Sequence, residues 1–197
     1  MDINEETIAF YSELGRAITQ WAHIEFALSR IVSACFHKGD ERLPATGFLS
    51  IENFRSKLQY VDAIILSRVQ SRTKRAKWAV LMDRAGRLVT KRNRLAHSWV
   101  LNVLDAKAGR RIMLLPSRPT KKARQKYPGA ICLRDVAAYR LEFFALWTAL
   151  ENFSGLLLGQ EAQFPKSAEQ PQRPPTIAQI RRQIYAFASH PPRPSRG

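Results

Sequence analysis

Cysteine is scarce in this chain, with only Cys35 and Cys132 among 197 residues. Neither belongs to a C-x-x-C pair, so a disulfide framework and a zinc ribbon are both excluded. The two read as buried thiols of a reducing compartment. Long apolar runs are also missing. The longest, Phe143 to Leu150, is bounded by Glu142 and Glu151 and falls well short of the roughly 20 residues that span a bilayer. The chain opens Met-Asp-Ile-Asn-Glu-Glu, acidic where a secretory leader needs positive charge. The expectation is a soluble, cytoplasmic protein without membrane contact. Acidic residues are the third shortage, 16 against 32 Lys+Arg, for a net charge of +16. Such a chain attracts polyanions and is a poor fit to cationic substrates. No Gly-rich phosphate loop and no His/carboxylate set with metal-ligand spacing is present, so neither a cofactor nor a metal is expected.

What the chain does have is a core. Apolar residues make up 45% and aromatics 10%, enough for one packed domain and too much for a disordered chain. The positive charge is concentrated. Residues 61–126 carry 18 basic and 3 acidic groups, whereas residues 1–60 carry 6 basic and 8 acidic ones. Self-repulsion on that scale destabilises a compact state unless an anion is meant to arrive.

Periodicity predicts four long helices. The first runs from Asn4 to His37, with Leu14, Ile18, Trp21, Leu28, Val32 and Cys35 in steps of three and four and Glu25 on the same stripe. A loop is expected from Gly39 to Gly47. The second helix runs from about Ser50 to Val69. A polar, basic segment, Ser71 to Lys77, overlaps the start of the third helix, about Arg75 to His97. The period then changes. Trp99, Leu101 and Val103 alternate with polar or smaller residues, Asp105 to Gly109 is turn-prone, and Ile112 and Leu114 alternate again. This predicts a β-hairpin. A basic loop from Pro116 to Gly129 and a short strand at Ala130 to Leu133 follow. The fourth long helix starts at an Asp135 cap and ends before Gly159. The fold class is therefore all-α, a four- to five-helix antiparallel bundle with a small β-hairpin insertion between the third and fourth long helices. The domain spans 1–159, with the insertion at about 98–134. Residues 160–197 form a Pro-rich linker and tail, with spacing that fits a short amphipathic helix at 176–188.

Two charged residues sit on apolar stripes. Glu25 either flanks the core and reaches water or is paired with a cation, because burying it alone is costly. Arg92, on the third helix, either snorkels to solvent or serves chemistry. In Lys91-Arg92-Asn93-Arg94-Leu95-Ala96-His97, Asn93 and His97 lie about 40° apart around a helix and Arg92 and His97 about 140°. The long arginine can bend towards the shared face. An imidazole, with an ordinary pKa near 6.5, can take or give a proton at neutral pH. A guanidinium can hold a phosphate with two hydrogen bonds and stabilise its growing charge, and an amide can orient either group. These are the parts that phosphodiester cleavage without a metal requires. The structural alternative for His97 is a histidine interacting with the last carbonyls of its helix.

Arg92-Asn93 followed by His97, late in the third long helix of a small α-bundle, resembles the Arg-to-His signature of the HEPN superfamily, including the polar residue that commonly follows the arginine. Trp21 and Ile24-Glu25, in Trp-Ala-His-Ile-Glu-Phe-Ala-Leu, resemble the opening helix of bacterial members. The likeness covers roughly residues 4–158. It implies a metal-independent endoribonuclease of toxin–antitoxin, phage-defence or RNA-processing type, dimerising so that two copies of the motif face one cleft. Arg92 and His97 would then be catalytic and Asn93 supporting. Glu25 has no counterpart in that motif, and its stripe position offers it as a carboxylate partner for Arg92. RNA would dock on Arg72, Lys74, Arg75, Lys77, Lys91 and Arg94 and on Arg118, Lys121, Lys122, Arg124 and Lys126. Members that bind without cutting keep two other readings open. One is a non-catalytic nucleic-acid-binding protein. The other is a helical module that meets an acidic, antitoxin-like protein. His23 reads as a surface residue beside Arg16, Gln20 and Arg30.

Overall fold

The computed structural model describes residues 3–36, 42–105, 109–116 and 129–159, and the side chains of all of these but 3, 4, 104, 105, 109 and 110. The predicted tail helix at 176–188 and the loop cations Arg118, Lys121, Lys122, Arg124 and Lys126 lie outside the described residues. Five helices and three strands follow one another: α1 (Ile3–Ala34), α2 (Arg42–Leu49), α3 (Phe54–Arg68), α4 (Arg72–Ala96), β1 (Ser98–Asp105), β2 (Gly109–Pro116), β3 (Ile131–Cys132) and α5 (Leu133–Leu157). The protein is mainly helical with a small antiparallel sheet.

Local chemistry explains the boundaries. The Asn53 side chain accepts from the backbone N–H groups of Arg55 (2.8 Å) and Ser56 (3.4 Å), so α3 starts after it rather than at Ser50. Ser71 accepts from Lys74 N–H, which starts α4 three residues earlier than periodicity placed it, inside the stretch read as a polar segment. Asp135 does not cap α5. Cys132 holds the cap position, and the Asp135 carboxylate accepts from its backbone N–H at 2.9 Å. Gly159, at φ +71, turns the chain out of α5 as expected.

The segment expected as a loop from Gly39 to Gly47 instead contains α2. Pro44 falls in its first turn, where a missing N–H is tolerated, and buried Phe48 anchors it. Gly47 allows close approach, since a Cβ there would sit a tight 3.0 Å from the Tyr60 hydroxyl. That hydroxyl donates to the Pro44 carbonyl at 3.1 Å.

Cross-contacts give the helix directions. Glu13 meets Arg140, Trp21 meets Phe143, His23 meets Trp147 and Arg30 meets Glu151, so α1 and α5 run the same way. Trp21 meets Phe54, Glu25 meets Lys57, and Phe36 just past α1 meets Arg68, so α1 and α3 also run together. Lys74 with Leu156, Lys91 with Glu142 and Trp78 with Asp62 set α4 against both α5 and α3. These contacts run α4 opposite to α3 and α5, and α1 in the same direction as both. The segment that contains α2 must return the chain from the end of α1 to the level of Trp21 before α3 begins.

Most of the predicted stripe of α1 faces inward: Trp21, Leu28 and Val32 are buried, and Leu14 and Cys35 pack against the core, while Ile18 is exposed. Phe10, Glu13, Ala17, Ile24 and Ile31 widen the buried face beyond that stripe. In the sheet, β2 is central, with Leu101 opposite Met113 and Leu114 opposite Ile131. Ile112, Leu114 and Ile131 join the helical core. Trp99, in step with Leu101 and Val103, is 72% exposed, whereas Val103 is buried.

Candidate functional site

The last turns of α4 carry the sequence motif. His97 is the C-cap residue, and its backbone N–H donates to the Asn93 carbonyl at 3.0 Å. Its side chain is exposed, as is that of Asn93. Arg92 Nη1 donates to Asn93 Oδ1 at 3.2 Å. Asn93 therefore touches both partners, one through its side chain and one through its backbone. No carboxylate lies within ion-pair distance of Arg92 among the described residues.

Arg92 also lines a pocket of about 350 Å³, whose other walls come from α1, α2 and α3. Glu25 shares that pocket, but its ion pair is not with Arg92. Lys57 Nζ sits 2.6 Å from Glu25 Oε2, and Trp21 Nε1 donates to Glu25 Oε1 at 3.1 Å. The expectation of a direct Glu25–Arg92 pair is corrected on this point. Lys57, one turn into α3 and also 5.3 Å from the centre of the Phe48 ring, reaches the carboxylate first.

Of the six described cations assigned to an RNA surface, four serve the fold. Arg75 donates to the carbonyls of Val69 (2.5 Å) and Leu66 (2.7 Å), closing the C-terminal end of α3. Lys74 donates to the Leu156 carbonyl in the last turn of α5 at 2.9 Å. Cations are favoured there, where carbonyls lack helical partners. Lys91 bonds both oxygens of Glu142 at 2.6 Å and lies over the Tyr139 ring. Arg94 donates to the Gly129 carbonyl at 2.9 Å and to the Tyr139 hydroxyl at 3.3 Å. Arg72 and Lys77 are exposed. Burial lowers the pKa of Arg84, on the same helix, with Glu142 opposing that shift and Arg87 adding to it.

His23 is exposed as expected, with its ring 5.2 Å from that of Trp147. Three features near the motif were not expected. Trp99 presents an exposed indole two residues beyond His97, Phe26 is 63% exposed at the pocket, and Lys57 closes one side of it. Periodicity placed the first in a strand and was silent on the other two. A surface aromatic at a motif's edge was the only available signal. Among the described residues, no group of three or more His, Cys, Asp or Glu side chains is placed to hold a metal ion, and no helix is long and apolar enough to cross a membrane. No family model, curated protein or solved structure matches the chain.

Proposed function

We propose that the protein is a metal-independent endoribonuclease of HEPN type, acting in a toxin–antitoxin or phage-defence setting as a homodimer whose two motifs face one cleft. The observation that carries this reading is the state of Arg92. Lys57, Lys91, Arg30, Arg87 and Arg140 are each paired with a carboxylate. Among the described residues Arg92 has only the Asn93 amide, so its charge remains available to a phosphate. An exposed imidazole follows one and a half turns later on the same helix end.

In this mechanism Arg92 holds the scissile phosphate and stabilises the charge that builds on its oxygens. The 2′-oxygen attacks the adjacent phosphorus as its proton passes to the His97 imidazole. The new P–O2′ bond forms as the P–O5′ bond breaks, and the proton returns from the imidazolium to the departing 5′-oxygen. The products are a 2′,3′-cyclic phosphate and a free 5′-hydroxyl. Asn93 keeps Arg92 directed towards the helix end.

The test is incubation of purified protein with labelled RNA in excess chelator. Cleavage that leaves cyclic phosphate ends is expected. His97→Ala should slow it by about 10²- to 10⁴-fold, the usual contribution of a general acid–base group, without releasing the RNA. A variant that cuts as fast as wild type refutes catalysis by His97. Salt-sensitive retention with no product from either protein leaves a non-catalytic RNA-binding module.

A further inference from the structure

We propose that the pocket between α1, α2, α3 and Arg92 holds a guanine base of the RNA strand, with Glu25 reading its Watson–Crick edge and Arg92 holding its phosphate. Its volume of about 350 Å³ lies in the range of pockets that take small organic ligands. Trp21, Phe26 and Phe48 border it; Trp21 and Phe48 are buried, and Phe26 is the ring open to solvent. Such an exposed ring accepts the face of any base. Selection must therefore come from the polar groups.

Those groups are a carboxylate and two cations. The Glu25 carboxylate is half-buried and held on both oxygens, by Trp21 Nε1 on one and Lys57 Nζ on the other. An ionised carboxylate has about four acceptor positions, so each oxygen retains one. Guanine presents two adjacent donors on one edge, N1–H and N2–H, which a carboxylate can accept together. The other three bases offer it a single donor there. Beside these donors guanine carries the O6 acceptor. Lys57 has three N–H donors, one of which goes to Glu25, so another can meet O6. An acceptor pair next to a donor is the complement of that edge. Arg92, without a carboxylate partner among the described residues, stands at the same pocket for the anionic end of the nucleotide.

This inference rests on the nuclease reading for its strand, yet its test does not depend on cleavage. Calorimetric titration of the full chain with GMP, AMP, CMP and UMP should give a preference for GMP of about tenfold or more. Glu25→Gln retains the volume and an acceptor for Trp21 but turns an N–H toward guanine. It should weaken GMP by about 10- to 100-fold, as expected for lost hydrogen bonds to a charged group, and AMP by less than about threefold. Phe26→Ala, at an exposed position that cannot unfold the core, should weaken all four together. Equal affinities for the four nucleotides, or a GMP preference untouched by Glu25→Gln, overturns the assignment. RNA cut without preference for guanosine removes this inference and spares the nuclease. GMP bound through Glu25 by a protein that cuts no RNA removes the nuclease and spares the pocket.

Discussion

Glu13 is completely buried, at 0% exposure, between α1 and α5. Its Oε2 accepts from Arg140 Nε at 2.7 Å, and among the described residues its Oε1 has only Arg16 Nη1 at 3.9 Å. Arg140→Met would leave an ionised carboxylate in the interior with one distant partner. Removing one member of a buried pair costs about 3–5 kcal/mol. Arg16 remains and the Arg140 side chain is 20% exposed, which places this loss near 3 kcal/mol, at the lower end of that range. Methionine keeps most of the aliphatic packing, so the loss reports the stranded charge. Replacing both partners by apolar residues removes that charge. The double variant Glu13→Leu/Arg140→Met should therefore lie within about 1 kcal/mol of wild type, with a coupling of roughly 2–3 kcal/mol in the double-mutant cycle. Urea unfolding followed by circular dichroism, read from midpoints at constant slope, measures each corner. In a chain of this size the single variant should melt about 6–12 °C lower. A loss below about 1 kcal/mol for Arg140→Met would show that the carboxylate does not depend on its partner and would refute the reasoning.

Two further predictions concern the fold. Asn53→Ala removes the two hydrogen bonds that begin α3 and should cost about 1 kcal/mol in thermal unfolding, whereas Asn53→Asp should restore it; an unchanged alanine variant would mean the cap contributes nothing. Burial pushes the Cys35 thiol up from its ordinary 9.0 to about 11, with Arg68 pulling weakly the other way. A raised thiol pKa favours the neutral form in the folded state, so its contribution is intact below pH 9 and lost as the pH climbs to about 11. Stability should fall across that window more steeply in wild type than in Cys35→Ala, and identical pH profiles would rule this out.

Much of the secondary structure was legible because its causes are local. Three-four spacing, the Gly159 stop and the change to a period of two lie within a few residues of the elements they define. Four long helices and a hairpin followed from them. Boundaries slipped where two polar residues competed for a cap, as at Ser50 and Asn53 or at Cys132 and Asp135. The loop reading of Gly39 to Gly47 failed because Pro and Gly were taken as breakers, whereas Pro44 sits in a first turn and Gly47 makes room for Tyr60.

The sequence by itself determined that this is a cationic, mainly helical chain with its charge gathered on one segment and with Arg92, Asn93 and His97 at the end of one helix. Only the tertiary structure decided that α1 runs with α3 and α5 and what each charged group meets. Glu25 finds Lys57 32 residues away, and Arg30 finds Glu151 121 residues away. A carboxylate pairs with whichever cation packing delivers to it, and in a chain with 32 basic residues many candidates share the same local pattern. The same packing set Lys74, Arg75, Lys91 and Arg94 to closing helix ends and bridging helices, and left Arg92 without an acid among the described residues.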